Sequence, residues 1–458
     1  MTELKRLLTL RHLVVFGLAY LAPTVVFNYF GIVTTLTGGM MALAYAATTV
    51  VMFFTAYSYA TMVRAFPVAG SAYTYVRMAV HPHLGFLTGW VMLLDYLLLP
   101  MVCYLLVAIY MNEFVPAVPV WAWIVLAAAL GAITNVFGVK IAGRINSVVI
   151  GAQILFSVAL VVIVAVYVTG GQGAGTLLDG AAVFDAANFD ASKVLWAASI
   201  LAASFLGFDA VSTMAEDTVD PAKTVPRAVL LVPIAAGIGF SVISYFMQLA
   251  WPNAATEIQD PDSGIFELLG RLGGNTLSTA FLVTDNLASM VCAIAGLAAA
   301  SRILYGMGRD GALPRRFFGA LNERFQTPVN NILLMTAIAL TAIFYADNLM
   351  AAASLVAFGA LCGFVLVNYS VISHFFIRGR RRSSSDVIRY LVVPGLGMVV
   401  CAALLVNVDV SAKILGGVWL VLGIVYLGFS TNGFRRPPAE IDIAEDDEVT
   451  ASTTESVG

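Results

Sequence analysis

The chain has 458 residues, of which 60% are apolar and only 11% are charged, and its mean hydropathy is +0.90. About 25% of the residues of a soluble domain are charged, so this composition excludes a cytosolic enzyme and a secreted disulfide-linked scaffold. The net charge of −3 offers no basic field for nucleic acid, and the four cysteines are scattered through apolar runs without metal-ligand spacing. The composition predicts an all-α, polytopic integral membrane protein.

Twelve runs of mostly apolar residues are long enough to cross a bilayer, which takes about 20 residues. These runs lie near 12–36, 40–64, 84–111, 119–139, 145–169, 193–216, 227–250, 275–302, 328–346, 349–377, 387–407 and 412–430. The first run is too long for a cleaved signal, and eleven more follow it. We therefore expect a twelve-span domain over 1–434 and a disordered acidic tail over 435–458, which cannot bury a core.

The basic residues predict the orientation of the spans. With the N-terminus inside, 21 of the 24 Lys and Arg residues lie in inner segments and 3 lie in outer segments. Cytoplasmic segments carry an excess of Lys and Arg, so both termini are expected to be cytoplasmic. No Lys or Arg then remains deep in the membrane.

Residues that break helices are concentrated in the first and sixth spans. The first reads FGLAYLAPTVVFNYFG and contains Pro23, and the sixth reads AASFLGFDAVSTMAED, with Gly207 close to Asp209. Broken helices at matching positions of two repeats are typical of the binding sites of secondary transporters. A simple proline kink and a packing glycine are the structural alternative for either span alone. The matched positions favour a site.

Three acids lie well inside predicted spans, namely Asp95, Asp209 and Asp285. A carboxylate at the centre of a bilayer costs roughly 2.5–3.5 kcal/mol on insertion scales, and such residues usually pair. Because no buried Lys or Arg is available, each acid is either protonated and bonded to a neighbouring polar group, or it awaits a cation. Three uncompensated acids favour a cationic substrate over an anionic one.

The glycine-rich stretch GGQGAGTLL at 170–178 lacks the Gly-Lys-Ser/Thr of a phosphate-binding loop. Without machinery for nucleotide hydrolysis, transport would be driven by an ion gradient or by exchange. No cofactor and no resident metal are expected.

Three further stretches carry a resemblance to a known family. They are FPVAGSAYTYV with GFLTGWVMLLDY (66–76 and 85–96), SFLGFDAVSTMAEDTVDPAKTVPRAV (204–229) and SRILYGMGRDGALPRRFFGALNERFQTPVNN (301–331). Together with the twelve spans, they resemble the amino acid–polyamine–organocation permeases over nearly the whole chain. The resemblance implies a five-plus-five inverted repeat (about 12–169 and 193–377) with two further spans over 387–430. It also implies a bacterial cytoplasmic (inner) membrane location.

Within that family the chain is most similar to bacterial putrescine importers, through GLAYLAPTVVF, LLDYLLLP and FLGFDAV. The resemblance implies substrate contacts at the two breaks, and the intramembrane acids, with Tyr96 beside Asp95, are added as candidate contacts because of their position in the spans. The residues concerned are Ala22, Pro23, Thr24 and Val25; Phe205, Leu206, Gly207, Phe208 and Asp209; and Asp95, Tyr96 and Asp285. Phe205 or Phe208 would be an aromatic lid over the substrate.

Two departures from the family pattern bear on substrate and coupling. Many amino acid permeases have a glycine-rich first break whose amides hold the substrate carboxylate. This chain has Pro23, Thr24 and Val25 at that place, which weakens carboxylate binding and favours a substrate with amines only. Some proton-coupled relatives have a lysine in span five where this chain has Gln153, which cannot titrate. Asp209 is then the leading candidate for the proton carrier.

The sequence thus predicts a secondary transporter that imports a small organic cation, putrescine or a related polyamine, by ion-coupled alternating access. A proton is favoured over sodium as the coupling ion, and the chain is expected to be a monomer or a weak homo-oligomer in the bilayer. An amino acid permease and a transport-inactive sensor remain the alternatives. A membrane enzyme is disfavoured, because no nucleophile–base pair or metal set appears in the spans.

Overall fold

The computed structural model describes residues 8–67, 71–137, 143–215, 218–309, 314–322, 324–325, 327–431 and 433–435. Across these residues every regular element is helical, and the one bridge between extended segments pairs Leu8 with Thr218. The α-helices are α1 (Leu10–Tyr20), α2 (Val25–Asn28), α3 (Phe30–Thr37), α4 (Met41–Ala65), α5 (Ser71–Ala79), α6 (Pro82–Phe114), α7 (Val120–Val136), α8 (Gly143–Thr169), α9 (Ala191–Leu201), α10 (Pro221–Ala250), α11 (Ala254–Glu257), α12 (Gly264–Arg309), α13 (Arg315–Phe318), α14 (Val329–Ala339), α15 (Leu349–Val371), α16 (Ser384–Val387), α17 (Val393–Asn407) and α18 (Val410–Ser430).

Nine helical segments within the described ranges are long and apolar enough to cross a membrane. Two further apolar helices, Val120–Val136 and Val329–Tyr345, are shorter. The first predicted span, 12–36, is divided among α1, α2 and α3, none of which has the length of a span. The predicted all-α membrane class is confirmed at this level, while the count of twelve spans stays a prediction.

The helices differ in how much of their apolar surface faces other helices. In the most apolar stretches of α6 and of Leu349–Arg378, which contains α15, 72% and 78% of the residues are buried. The share is 22% for Ser384–Asn407, which contains α17, and for α18. Since a bilayer-facing helix keeps apolar residues exposed, α6 and α15 form the centre of the bundle, and α17 and α18 lie at its periphery. The exposed leucines, valines and isoleucines of the outer helices form a surface suited to lipid.

The chain leaves helical geometry between α1 and α2. Ala22 has a φ of +49°, and the residue after it is Pro23. Proline disfavours the α conformation at the preceding residue and supplies no N–H, so the hydrogen-bond ladder of α1 cannot continue through it. The chain resumes a helical path when the Val25 amide donates to the Ala22 carbonyl at 2.9 Å.

A second interruption follows α9. The helix tightens into a 3₁₀ turn over Ala202–Phe205, opens at Gly207, which has a φ of +102°, and resumes as a 3₁₀ helix over Asp209–Ala215. Glycine is required at this position, because a Cβ atom would overlap the ring of Tyr20 as well as meet the unfavourable φ. The two interruptions therefore touch each other through Tyr20 and Gly207.

Part of the sequence-based interpretation falls outside the described residues. The predicted acidic tail is described only at Arg435, and residues 310–313 of the inner-loop motif are likewise not described. The expectation that the tail is disordered stays a prediction.

Candidate functional site

A cavity of about 130 Å³ lies inside the bundle, between the α1–α2 connection, α6, the 3₁₀ turn after α9, α12 and α15. Sites for drug-sized ligands measure about 300–1,000 Å³, so this cavity suits a molecule of only a few heavy atoms. Seven of the predicted site residues line it: Ala22, Thr24, Val25, Asp95, Tyr96, Leu206 and Asp285. The lining that the structure describes contains no lysine and no arginine.

The two lining acids lie at opposite ends of a short series of polar side chains. Asp95 is close enough to interact electrostatically with Cys292, and Cys292 lies beside Cys103. Cys103 in turn is within electrostatic reach of Asp285, and all four residues line the cavity. The cavity thus has an Asp95 end and an Asp285 end, with two free thiols between them.

The Asp95 end is aromatic as well as acidic. Tyr20 and Tyr96 line the cavity there, and Tyr20 is 44% exposed, so this end is not fully enclosed by protein. Tyr20 also lies within electrostatic reach of Asp95, Tyr96 and Asp209. Phenol rings beside a carboxylate form an environment in which an organic ammonium group is stabilised by charge pairing and by cation–π contact.

The Asp285 end is buried and consists of side-chain oxygens and amides. Asp285 is only 2% exposed and lies beside Thr24 and Asn28, which line the same cavity. The Tyr110 hydroxyl donates to Asn28 Oδ1 at 3.1 Å. Asp285 Oδ2 is buried and forms no hydrogen bond of good geometry with any residue in the described ranges.

Gln153 does not line the cavity, but its side chain is hydrogen-bonded to the first break at Thr24. Its Oε1 atom accepts the Thr24 backbone amide at 3.3 Å and the Thr24 hydroxyl at 3.0 Å, and both side chains are buried. Because Pro23 has no N–H and the Val25 amide bonds to Ala22, the amides at 23–25 are all absent or satisfied within the protein. An α-carboxylate would find no free amide among these three residues.

Asp209 lies near this site but does not line the cavity. Its Oδ2 atom accepts a hydrogen bond from the Ser71 hydroxyl at 3.2 Å, and its backbone carbonyl accepts the Ser212 hydroxyl at 2.6 Å. The carboxyl is half-buried and lies within electrostatic reach of Asp95. Asp209 therefore adds negative charge next to the Asp95 end without facing the cavity in this conformation.

The two predicted lid residues also point elsewhere. Phe208 is fully buried and packs edge-on against Tyr59, with ring centroids 5.5 Å apart, and also contacts Phe364. Phe205 is fully buried against Phe240. Pro23 and Gly207 lie at the breaks themselves, and among the neighbours of Gly207 it is Leu206 that reaches the cavity.

Several lining residues were not predicted from the sequence, above all Tyr20, Asn28, Cys103 and Cys292. Tyr20 and Asn28 lie within one helical turn of the residues predicted at the first break, 22–25. A prediction that included one turn on each side of the break would have contained both residues. The two cysteines carried no such signal, because each lies in an apolar run and only the packing of α6 on α12 brings them together.

An all-helical bundle with a buried acidic cavity beside two helix interruptions defines the class as a multi-pass membrane transport protein. The family model described as "Amino acid permease" matches residues 12–418, so the chain belongs to the amino acid permease family. It is 38% identical over 96% of its length to the low-affinity putrescine importer PlaP of Escherichia coli strain K12, 97% of which is covered. It is 25% identical to the branched-chain amino acid permease BcaP of Bacillus subtilis strain 168, with 92% of each chain covered.

These relatives are named as transporters or permeases, and the chain is accordingly a transporter rather than an enzyme. Bacterial relatives and multiple apolar helices make it a multi-pass protein of the inner membrane. Within the described residues there is no group of three or more His, Cys, Asp or Glu side chains that could hold a metal ion.

Proposed function

We propose that the protein imports putrescine or a related polyamine by ion-coupled alternating access. The observation that carries this proposal is the cavity itself, which has two acids and no basic residue in its described lining. A diamine brings only positive charge into this setting, where an acid can pair with it and no basic side chain of the described lining repels it. The similarity to PlaP over nearly the whole chain supports the same substrate class.

In the proposed complex, one ammonium group of the substrate pairs with Asp95 and lies against the rings of Tyr20 and Tyr96. The methylene chain packs on the apolar part of the lining, which includes Val25 and Leu206. Asp209 lies next to this end and is the candidate for receiving the other amine or the coupled proton. Phe205 and Phe208 would act as a lid only after a change of conformation that turns one of them toward the cavity.

The first break favours an amine substrate over an α-amino acid. Burying a carboxylate without hydrogen-bond donors is costly, and the amides at 23–25 are absent or already bonded. The side chains of Thr24 and Val25 also narrow the approach to the break.

For the architecture, we propose twelve membrane spans in which 12–169 and 193–377 form inverted repeats and 387–430 adds two spans. The helical segments α1 to α3 together would form the first span. The Lys and Arg distribution supports cytoplasmic N- and C-termini, including the tail over 435–458.

Uptake of radiolabelled putrescine into proteoliposomes containing the purified protein tests the proposal. An importer accumulates putrescine, whereas a sensor binds it without transport. The similarity to BcaP keeps an amino acid permease as the second candidate. That candidate would replace the first if leucine were taken up and putrescine neither entered nor competed.

A further inference from the structure

The hydrogen-bond arrangement around Asp285 distinguishes it from the other two acids. Asp285 lies on α12, is almost fully buried, and leaves Oδ2 without a partner among the residues that the structure describes. It nevertheless lines the cavity together with its neighbours Thr24 and Asn28. A buried carboxylate oxygen without a donor is expensive, so this group needs either a proton or a cation.

The hydrogen bonds that Thr24 and Asn28 already form determine which of them can donate a hydrogen bond to Asp285. The Thr24 hydroxyl has a single hydrogen, and it is donated to Gln153 Oε1. The oxygen of Thr24 can therefore only accept a hydrogen bond from Asp285. Asn28 accepts the Tyr110 hydroxyl on Oδ1, which leaves its Nδ2 group as the donor toward Asp285.

This environment matches the neutral acid. A protonated Asp285 has no charge that needs the missing donor at Oδ2, and a small rotation of its side chain would let its O–H donate to Thr24 Oγ1. An ionised Asp285 lacks one donor unless the Thr24 hydroxyl turns away from Gln153. In that case Gln153 keeps only the Thr24 amide, at 3.3 Å, and the attachment of the first break to α8 is weakened.

From this geometry we infer that Asp285 carries the coupling proton, and that the Thr24 hydroxyl transmits its protonation state to the first helix break. The inference rests on the import function proposed above and supplies its ion site. It assigns the proton to Asp285 and leaves Asp209 to the substrate.

The groups that face Asp285 are otherwise neutral. From α6, the thiol of Cys103 and the phenol of Tyr110 lie within electrostatic reach of it. The α1–α2 connection and α2 contribute Thr24 and Asn28, and Gln153 of α8 stands behind Thr24. Among the described residues, no basic side chain lines this end of the cavity. The charge of Asp285 is therefore governed by a proton and not by a permanent ion pair.

Asp285 is also separated from the proposed amine site. Cys103 lies eight positions after Asp95 on α6, and Cys292 lies seven positions after Asp285 on α12, which is about 10–12 Å along each helix axis at 1.5 Å per residue. With the two thiols between the acids, one short diamine held at Asp95 does not also occupy the Asp285 end. One acid thus remains for the proton while the other holds the substrate.

In one transport cycle Asp285 takes one proton from the outer solution when the cavity is open outward. Asp285 releases that proton to the cytoplasm when the cavity opens inward, and the substrate is released to the cytoplasm in the same step. The ionised Asp285 draws the Thr24 hydroxyl away from Gln153, which changes how the first break is held.

The test compares Asp285→Asn with Asp209→Asn in proteoliposomes, using the full chain. The asparagine at 285 keeps the shape of the protonated acid but cannot exchange a proton. Two rates are measured with the membrane potential clamped: putrescine counterflow without an ion gradient, and putrescine accumulation driven by an imposed pH gradient. A pH dye inside the vesicles records the proton movement.

We expect Asp285→Asn to retain putrescine counterflow at a reduced rate. Accumulation driven by the pH gradient should fall at least tenfold, and the proton signal should disappear. Asp285→Glu should restore part of both, and Asp209→Asn should lose counterflow as well. Accumulation and proton movement like those of the wild type in Asp285→Asn would overturn the inference. A folded Asp285→Asn that no longer binds putrescine would also overturn it, because Asp285 would then be a substrate contact.

If Asp285→Asn does not fold, Thr24→Val provides the second test, since it keeps the carboxyl and removes the hydroxyl. The pH at half-maximal accumulation should shift in this variant, and an unchanged pH profile would contradict the role given to Thr24 and Asp285. Absence of putrescine counterflow by the wild type would instead refute polyamine import. The same comparison with leucine as the probe would then still test Asp285.

Discussion

The ring of Tyr20 lies directly against the backbone of Gly207, so the end of α1 contacts the interruption that follows α9. Tyr20 also lines the cavity, and its ring is within electrostatic reach of both Asp95 and Asp209. The position of one cavity wall therefore depends on the absence of a side chain at residue 207.

Gly207→Ala should abolish or strongly reduce transport. The new methyl group would displace the Tyr20 ring, and alanine at a φ of +102° adds a backbone cost of about 1–2 kcal/mol. Putrescine uptake and the melting temperature of the purified protein measure the two effects. Gly239→Ala is the matched control, because no atom outside its own helix backbone lies within 4 Å of a Cβ at that helical glycine. Equal uptake by both variants would contradict the proposed role of the Tyr20–Gly207 contact.

Asp95→Asn should weaken putrescine binding at least tenfold, which corresponds to about 1.4 kcal/mol or more. The reason is the loss of the carboxylate that pairs with one of the two amines. Calorimetry with putrescine and with butylamine separates this effect from a general loss of affinity. We expect the larger loss for the diamine, and equal losses for both amines would count against recognition of a second ammonium group by Asp95.

Asp209→Asn should reduce putrescine uptake at least tenfold while leaving the protein folded. This carboxyl supplies negative charge beside the Asp95 end and is held by the Ser71 hydroxyl. Initial uptake rates and size-exclusion profiles are the measurements. Asp220→Asn is the control, because Asp220 pairs with Lys223 on an exposed surface. Normal uptake by the Asp209 variant would remove this residue from the mechanism.

Putrescine should bind at least tenfold more tightly than ornithine, which is putrescine with an added α-carboxylate. The carboxylate would enter a cavity with acidic lining and would find the amides at 23–25 absent or bonded. Competition for labelled putrescine at one pH gives both affinities. Ornithine or a neutral amino acid that competed as well as putrescine would favour the amino acid permease.

The connection between α10 and α12 contains an ion pair that stabilises the fold and is separate from the proposed proton site. The Trp251 indole donates to Glu257 at 2.7 Å, and Arg271 bonds the same carboxylate at 3.1 Å while stacking on the Trp251 ring. The Trp251 hydrogen bond, with a contribution from Arg271, holds the pKa of Glu257 below its usual range.

Because the pKa of Glu257 is lowered by folding, its contribution to stability is present above its unfolded pKa of about 4.3 and is lost as the pH falls through the lower folded value. Glu257→Gln should therefore lower the melting temperature by a constant amount between pH 5 and 8, and the difference should vanish in more acidic solution. Melting curves across this range are the measurement. The pH profile of uptake should keep its shape in this variant, and a changed shape would mean that the loop takes part in proton coupling.

The sequence alone determined the class of the molecule. Long apolar runs and the scarcity of charge predict a helical membrane protein, because a bilayer leaves no other way to satisfy the backbone of a single chain except a closed barrel. The chain departs from helical geometry near Pro23 and at Gly207, and these two residue types predicted a break at both places. Hydropathy and these two residue types act locally, so no tertiary information was needed.

Only the tertiary structure decided which side chains face the cavity. Asp95 and Asp285 line it whereas Asp209 does not, and Phe205 and Phe208 pack into aromatic clusters instead of over the site. The bond from Thr24 to Gln153 joins residues 129 positions apart. Each of these outcomes depends on how a helix is rotated about its axis and which neighbour it meets. That rotation follows from the packing of the whole bundle. A helix that is apolar on all sides has no polar face in its sequence from which the rotation could be predicted.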